Sequence, residues 1–330
     1  METLGVESLR YPFWENTMHE NLTRRELITR AGLTMALLAE GETMSAEATP
    51  KPNEPFRYCL NTSTIRAQKL PLPEVVDLAA KAGYHAIEPW IEEIIAFQEK
   101  GGKLSDLKKQ IQDHHLTVES AIGFAEWIVD DPARRKKGLE IMKRDMDLVA
   151  QIGGKRVAAP PMGLTDTEDR DLIKIAERYR TLCELGEQTG VVAQVEVWGF
   201  SKTLNRLGAA AMVAIESHHP QACILADVYH LYKGGTDHAA IRFLHGDVLH
   251  VLHVNDYPNL PRETITDADR VYPGDGVAPL DTFFRDLKAI GFKGYLSLEL
   301  FNAEYYKQEP LHVLKTGLAK TRAAVQKAFK

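Results

Sequence analysis

The 330-residue sequence lacks the features that mark several common protein classes. It has three cysteines, Cys59, Cys183 and Cys223, which are far apart and show no CxxC spacing. This pattern indicates neither a zinc ribbon nor a disulfide framework, so we expect the three cysteines to be small, buried apolar side chains. No GxGxxG pattern follows the first predicted strand, so nothing anchors a dinucleotide. No apolar run approaches the roughly 20 residues that cross a bilayer, so we predict no membrane span.

Positive charge is not in excess either. The chain carries 40 basic and 46 acidic side chains, for a net charge of -6. Because acidic and basic residues are interspersed along the sequence, there is no basic stripe that would neutralise a phosphate backbone. We therefore expect no nucleic-acid partner. With 44% hydrophobic residues, a chain of this length can bury a large core.

The first 55 residues are predicted to be a flexible extension ahead of the folded domain. Thr23-Arg24-Arg25-Glu26-Leu27-Ile28 precedes a short apolar stretch, and Ala46-Glu47-Ala48 has the form of a signal-peptidase site. This arrangement resembles a twin-arginine export signal, although a surface helix with two arginines would look similar. It predicts a periplasmic or exported protein, with a cytoplasmic one as the alternative. The three prolines between Thr49 and Pro55 indicate a linker.

From residue 56 to residue 330, short apolar runs rich in β-branched residues alternate with stretches of helical periodicity. This alternation is typical of βαβ units and a parallel sheet. The eight runs that we predict to be strands are Phe56 to Asn61, Ala86 to Pro89, Thr117 to Gly123, Arg156 to Ala159, Val191 to Val197, Ala222 to Asp227, Val248 to Val254 and Gly294 to Leu300. Eight strand–helix units over about 275 residues predict an α/β fold, a single (β/α)₈ TIM barrel domain.

Several of these strands end in a side chain that can bind a metal ion. In (β/α)₈ barrels, reacting groups lie at the C-terminal ends of the strands and in the loops that follow. Four consecutive predicted strands carry such groups near their ends, namely Glu196, Asp227, His253 and Glu299. Glu88 lies near the end of the second predicted strand. A carboxylate within an apolar strand costs several kcal/mol to bury unless it is paired, protonated or bound to a metal.

Taken singly, each of these acids would be explained by a salt bridge to a nearby Lys or Arg. Taken together, three carboxylates and one imidazole at one barrel mouth repel each other unless a cation lies between them. Oxygen-rich ligation with one histidine suits Mn²⁺, Mg²⁺ or Co²⁺ better than structural zinc. We therefore predict one divalent cation, with Mn²⁺ preferred and Zn²⁺ as a further alternative.

These strand ends also belong to a series of short motifs, each weak alone but specific in order and spacing. The motifs are Ala82-Gly83-Tyr84-His85-Ala86-Ile87-Glu88, Glu196-Val197, Asp227-Val228-Tyr229-His230, His253-Val254-Asn255-Asp256, Arg270 with Pro273-Gly274-Asp275-Gly276, and Leu298-Glu299. From residue 56 to the C-terminus they resemble the xylose-isomerase-like barrel superfamily. Its members include ketose 3-epimerases, hydroxypyruvate isomerase, inosose dehydratase and the DNA-repair enzyme endonuclease IV.

The resemblance implies roles for individual residues. It implies that Glu196, Asp227, His253 and Glu299 are the metal ligands, and that His230 and Arg270 face substrate oxygens. In the epimerases of this superfamily, the glutamates matching Glu196 and Glu299 exchange a proton on opposite faces of a carbon next to a ketone. Lewis-acid polarisation of the carbonyl makes that proton removable and stabilises an enediolate, so the expected enzyme is a metal-dependent sugar isomerase or epimerase.

Substrate contacts are also expected from side chains near other strand ends. Trp90 and Trp198 could stack on the apolar face of a sugar, as could Phe124, Trp127 and Phe200, but packing at the rim is an equal alternative. Asn61, at the end of the first strand, is assigned to hydroxyl binding, with a turn-forming role as the alternative. Glu88 is assigned to the same substrate-binding set.

Rival functions begin with the same chemistry. A dehydratase or lyase acting on a 3-keto sugar, a 3-keto glycoside or an inosose also starts by proton abstraction. An endonuclease IV-like enzyme is a more distant alternative, disfavoured because Val271 and Gly123-Phe124 supply no further histidine ligands. We expect a small sugar or keto-sugar as the partner, and the sequence leaves a homo-oligomer open.

Overall fold

The computed structural model describes residues 54–330, which form the predicted (β/α)₈ barrel. The N-terminal extension with Arg24-Arg25 lies outside the described residues. Eight parallel strands are present in the described part of the chain: β1 (Arg57–Asn61), β2 (Ala86–Glu88), β3 (Thr117–Val118), β4 (Arg156–Ala159), β5 (Val192–Glu196), β6 (Cys223–Asp227), β7 (Leu249–Val254) and β8 (Tyr295–Leu298). All eight lie within or at the predicted runs.

Helices follow the strands and cover the outer face of the sheet. The α-helices among the described residues are α1 (Leu72–Ala82), α2 (Ile91–Glu99), α3 (Leu104–Asp113), α4 (Pro132–Gln151), α5 (Leu172–Thr189), α6 (Leu207–Glu216), α7 (Val228–Gly234), α8 (Leu280–Ala289) and α9 (Pro310–Ala328). Two helices, α1 and α5, end at Gly83 and Gly190, whose φ angles of 94° and 75° favour a residue without a Cβ. Among residues 54–330, no helix is both long and apolar enough to cross a membrane.

The strands are ordered β3-β2-β1-β8-β7-β6-β5-β4. Ala121, just after β3, closes the ring: its N–H donates to the carbonyl of Arg156, and its own carbonyl accepts from the N–H of Ala158. The third strand is shorter than predicted because regular pairing to β2 ends at Val118 and the chain then crosses to β4. The apolar run from Thr117 to Gly123 therefore belongs partly to a barrel-closing loop.

Apolar side chains fill the space between sheet and helices, and a separate apolar cluster is formed by Ile122, Ala158, Leu225 and Val251. Leu225 is two residues before Asp227, and Val251 is two residues before His253. Side chains two apart on a strand share a face, so this cluster lies one layer below those two polar residues. The barrel thus has an apolar floor beneath a polar layer at its C-terminal end. The three cysteines are buried and free, as predicted.

Candidate metal and substrate site

The predicted ligands lie side by side because the parallel strands are in register. Asp227 is the last residue of β6 and is the register partner of His253 on β7. His253 is in turn the partner of Ser297 on β8, two residues before Glu299. The three side chains of Asp227, His253 and Glu299 each offer one ligand atom, and these atoms all lie within 4.8 Å of one another. A group of this composition and size could hold a divalent metal ion.

His253 is at the centre of this group and is completely buried. Its Nδ1 lies 3.2 Å from Oε2 of Glu299 and 3.6 Å from Oδ2 of Asp227, with no hydrogen bond of acceptable geometry to any described residue. Burial alone would lower the pKa of His253, but the carboxylates of Glu299 and Glu88 raise it well above its ordinary value. Nδ1 is therefore a buried nitrogen that faces carboxylates.

Arg270 supplies positive charge to the same group. Its Nη1 donates to Oδ2 of Asp227 at 2.9 Å and to Oε2 of Glu299 at 2.6 Å, and its side chain is almost fully buried. Burial would raise the pKa of Asp227, but Arg270 above all, with His230 and His253, holds it below its ordinary value. Arg270 also donates to Asp267 and lies over the rings of Tyr229 and Phe301. These contacts fix the guanidinium at the mouth of the barrel.

Glu88 lies behind His253 and has no exposed surface. Its Oε2 is 3.0 Å from Nε2 of His253 and accepts a hydrogen bond of 2.7 Å from Ser297. Burial would raise the pKa of Glu88, but the charge and hydrogen bond of His253 together hold it below its ordinary value. The carboxylate therefore fixes the orientation of the His253 ring.

Asn61 connects Glu88 to Glu299. Its Nδ2 donates to Oε2 of Glu88 and to Oε1 of Glu299, both at 3.1 Å. Its Oδ1 accepts from the backbone N–H of Ser63 and from the indole Nε1 of Trp90. These four contacts determine the orientation of the amide and hold Glu299 from the side opposite Arg270. The contact with Ser63 is the turn-forming role, whereas the contacts with Glu88 and Glu299 were not predicted from the sequence.

Glu196, the last residue of β5, stands outside the three-residue group. Its Oε2 is buried and has no hydrogen-bond partner among the described residues. Burial raises the pKa of Glu196 to about 8; the charge of His253 opposes this, and Glu299 adds to it. A carboxyl group with these properties is a candidate for proton transfer near neutral pH.

His230 follows Asp227 by three residues at the start of α7. Its backbone N–H donates to Oδ1 of Asp227, which is the N-cap of the helix, and its Nε2 lies 3.2 Å from Nη2 of Arg270. Burial lowers the pKa of His230, with Asp227 opposing the shift. The other ring nitrogen, Nδ1, has no partner among the described residues.

A cavity of about 320 Å³ opens above this polar layer. Of the predicted site residues, Glu196, His230, Arg270 and Glu299 line it together with the predicted aromatic residues Trp90 and Trp198. Glu88 and Asn61 do not line it, so the structure places both beneath the cavity, and their assignment to substrate binding stays a prediction. Phe124 and Phe200 also line the cavity, whereas the indole of Trp127 is buried in the core and donates to the carbonyl of Pro160.

Sequence reasoning missed several neighbours of the site. Asp267 and Phe301 line the cavity, Ser297 bonds Glu88, and the side chain of Asn255 donates to Asp227. Ser297 precedes Glu299 by two residues on one strand, so alternation along β8 could have placed it on the same face. Asp267 lies in a loop with no comparable signal. The carboxylate of Asp256 caps a loop, because it accepts from backbone N–H groups that include those of Gly274 and Gly276.

Several known proteins are similar to this chain in sequence and fold. The inosose isomerase of Bacillus velezensis is 27% identical over 277 residues, covering 83% of this chain and 99% of that protein. The 3-dehydro-D-guloside 4-epimerase of Escherichia coli is 24% identical over 231 residues, covering 66% of this chain and 83% of that protein. A crystal structure of the IOLI protein with a bound zinc atom aligns with a TM-score of 0.75 and 25% identity, covering 83% of this chain and 100% of that one. Residues 76–324 match the family model described as the xylose isomerase-like TIM barrel, and the chain belongs to that family.

Proposed function

We propose that this protein is a divalent-metal-dependent isomerase or epimerase of a keto-sugar or a related cyclic ketone. The observation that carries the proposal is the buried group of Asp227, His253 and Glu299, of which Glu299 lines one cavity together with Glu196. Isomerase and epimerase relatives of the same fold support the reaction class.

The residues present fit a divalent cation. Nδ1 of His253 and Oε2 of Glu196 are buried atoms with no hydrogen-bond partner among residues 54–330, and Nδ1 offers a lone pair to a cation once it has lost its proton. Asp227 and Glu299 would complete the ligand set. Arg270 would then have to share or release Oδ2 of Asp227 and Oε2 of Glu299, to which it donates. Three carboxylates and one imidazole suit Mn²⁺, which we propose as the resident ion. When bound, the cation polarises the substrate carbonyl and makes the adjacent C–H more acidic.

Glu196 and Glu299 are the proposed proton carriers. Both oxygens of Glu299 are held, Oε1 by Asn61 and Oε2 by Arg270, so its carboxylate has a defined direction. Oε2 of Glu196 is unpaired and can hold or accept a proton at neutral pH. One carboxylate removes the proton next to the carbonyl. In an epimerisation the other returns a proton to the opposite face of the same carbon; in an isomerisation a proton is returned to the neighbouring carbon and the hydroxyl proton moves from one oxygen to the other. Arg270 and His230, at the edge of the same cavity, are proposed to bind substrate oxygens.

Glu88 has a supporting role in this proposal. Its contact with Nε2 of His253 directs Nδ1 toward Asp227 and Glu299. A carboxylate behind a ligating histidine fixes the tautomer and raises the basicity of the ligand. Glu88 would therefore act on the metal through His253 and without touching substrate.

Incubation of the Mn²⁺-loaded full chain in D₂O with inososes, ketoses and 3-keto glycosides, followed by NMR, tests the proposal. Deuterium at a retained carbon next to the carbonyl is the expected result. Loss of water or aglycone would instead identify a lyase, because elimination begins with the same proton abstraction. Absence of both on every substrate would contradict the proposal.

We also propose export of the protein by a twin-arginine route, which is supported by Arg24-Arg25 and the apolar stretch that follows. Export would favour unphosphorylated sugars as substrates. Fractionation of expressing cells, compared with the Arg24→Lys/Arg25→Lys double variant, tests it. Equal distribution of the two proteins between cytoplasm and periplasm would contradict export.

A further inference from the structure

One wall of the cavity is a continuous row of aromatic rings. Ring centroids are 5.1 Å apart between Trp90 and Phe124, 6.1 Å between Phe124 and Trp198, and 5.1 Å between Trp198 and Phe200. Phe301 extends the row from the other side of Trp90, at 6.2 Å. We call these five residues the aromatic row. Its members come from loops after four different strands, so neighbouring positions in sequence do not explain their alignment.

The aromatic row remains partly open to solvent. Phe124 is 38% exposed and Phe200 is 40% exposed, although both pack against Trp198. Apolar surface left in water forgoes hydrophobic stabilisation, and contiguous exposed apolar groups mark binding surfaces. Because Phe124 and Phe200 lie beside the proposed catalytic groups, the natural occupant of this surface is part of the substrate.

The aromatic row offers few partners for hydroxyl groups. The indole Nε1 of Trp90 is already engaged by Oδ1 of Asn61, the indole N–H of Trp198 is close to the carboxyl group of Glu196, and the phenylalanines have no polar atoms. The polar lining residues are Glu196, His230, Asp267, Arg270 and Glu299. A hydroxyl pressed against the phenyl rings would lose its hydrogen bonds to water without replacement. A flat aromatic group would instead gain burial and ring–ring contacts.

We propose that the substrate is a keto-sugar that carries an aromatic aglycone, and that the aglycone packs on Phe124, Trp198 and Phe200. The assignment of the sugar part rests on the proposed function, whereas the assignment of the aromatic part rests on the row itself. The polar lining residues bind the oxidised sugar ring, and the aromatic row binds the group attached to it. A substrate with these two parts differs from free ketoses and from methyl glycosides, which have no aromatic group.

The binding test compares phenyl and methyl β-D-glucopyranoside, titrated into the Mn²⁺-loaded full chain and followed by calorimetry. We expect the phenyl glycoside to bind at least about tenfold more tightly, which corresponds to about 1.4 kcal/mol. The ratio of affinities should fall toward one in Phe124→Ala and in Phe200→Ala. Phe243→Ala is the matched control, since Phe243 is 93% exposed and does not line the cavity; it should keep the wild-type ratio.

Equal affinity for the two glycosides, including no measurable binding of either, would overturn the inference. An unchanged ratio in both alanine variants, with circular dichroism showing that they are folded, would also overturn it. The matching 3-keto glycosides in D₂O separate this inference from the proposed function. Deuterium exchange at equal rates for phenyl and methyl substrates would refute the aromatic subsite alone. A phenyl preference in binding without exchange or elimination on any substrate would refute the proposed reaction alone.

Discussion

Arg270 and Glu299 form a buried ion pair at the floor of the cavity, with 2.6 Å between Nη1 and Oε2. The same nitrogen lies 2.9 Å from Oδ2 of Asp227, so one guanidinium links two of the proposed metal ligands. A metal ion that binds these oxygens takes over part of the charge balance that Arg270 provides. The stability of the site and its metal content are therefore coupled.

Removal of this guanidinium should destabilise the metal-stripped protein more than the loaded one. Arg270→Ala leaves buried carboxylates without their cation, a loss of about 3–5 kcal/mol for a buried pair. Added Mn²⁺ should restore more stability to the variant than to the wild type, because it compensates the same charges. Urea denaturation with EDTA and with Mn²⁺ measures both. Arg134→Ala removes an exposed pair with Glu126 and should change little. Equal metal-induced stabilisation in Arg270→Ala and wild type would contradict the coupling.

The contact between Glu88 and His253 should tune metal affinity. Glu88→Gln keeps the size of the side chain but weakens the interaction with Nε2 of His253. Loss of such an outer partner typically costs about 10–100-fold in metal affinity. Titration with Mn²⁺, followed by electron paramagnetic resonance of the free ion, measures the change. Glu74→Gln, at an exposed position on α1, is the matched control. Unaltered affinity in Glu88→Gln would show that the ring of His253 needs no such support.

The two proposed proton carriers should be needed even when the metal site is saturated. Glu196→Gln and Glu299→Gln should each reduce solvent deuterium exchange by about 10²–10⁴-fold at saturating Mn²⁺. Glu304→Gln, whose side chain is 73% exposed, should exchange at the wild-type rate. NMR time courses in D₂O give the rates. Retention of full exchange in either cavity variant would remove that glutamate from the mechanism.

The free energy of unfolding should decrease as the pH falls from 6.5 to about 4, in part because of His250 on β7. Burial lowers the pKa of His250 to about 4, and the charge of Arg156 contributes. The unfolded chain takes up this proton near its ordinary value of about 6.5, before the folded protein does, so acid favours unfolding in that window. This contribution is fully present above pH 6.5. His250→Gln should lose less stability than wild type between pH 7 and pH 5 in urea denaturation. An identical loss would show that His250 does not contribute.

The sequence was sufficient to predict the barrel and most of the candidate site. Alternating strand and helix patterns located all eight strands, because parallel strands covered on both faces form continuous apolar runs. The rule that reacting groups follow the C-terminal strand ends then selected Asp227, His253 and Glu299, which the register of β6 to β8 brings together. At these residues the local pattern predicts the tertiary geometry, because the strand register places residues at the ends of neighbouring strands next to each other.

Other features depend on tertiary contacts that no local pattern contains. Glu88 ends a strand as Glu196 does, yet it points beneath the cavity because Asn61, His253 and Ser297 surround its carboxylate. Trp127 and Phe124 are three residues apart, but only Phe124 lines the cavity. The pairing of Arg270 with two proposed ligands joins distant loops and strands, so sequence spacing alone could not indicate it.

One divalent cation at Asp227, His253, Glu299 and Glu196 is the proposed support for proton transfer in the cavity. Titration of Mn²⁺ into the metal-stripped full chain, with the rate of deuterium exchange into a turned-over keto-sugar as the readout, tests it most directly. No exchange is expected without metal, and the exchange rate should saturate at about one equivalent. Exchange that persists in the stripped protein, or that requires about three equivalents, would contradict it.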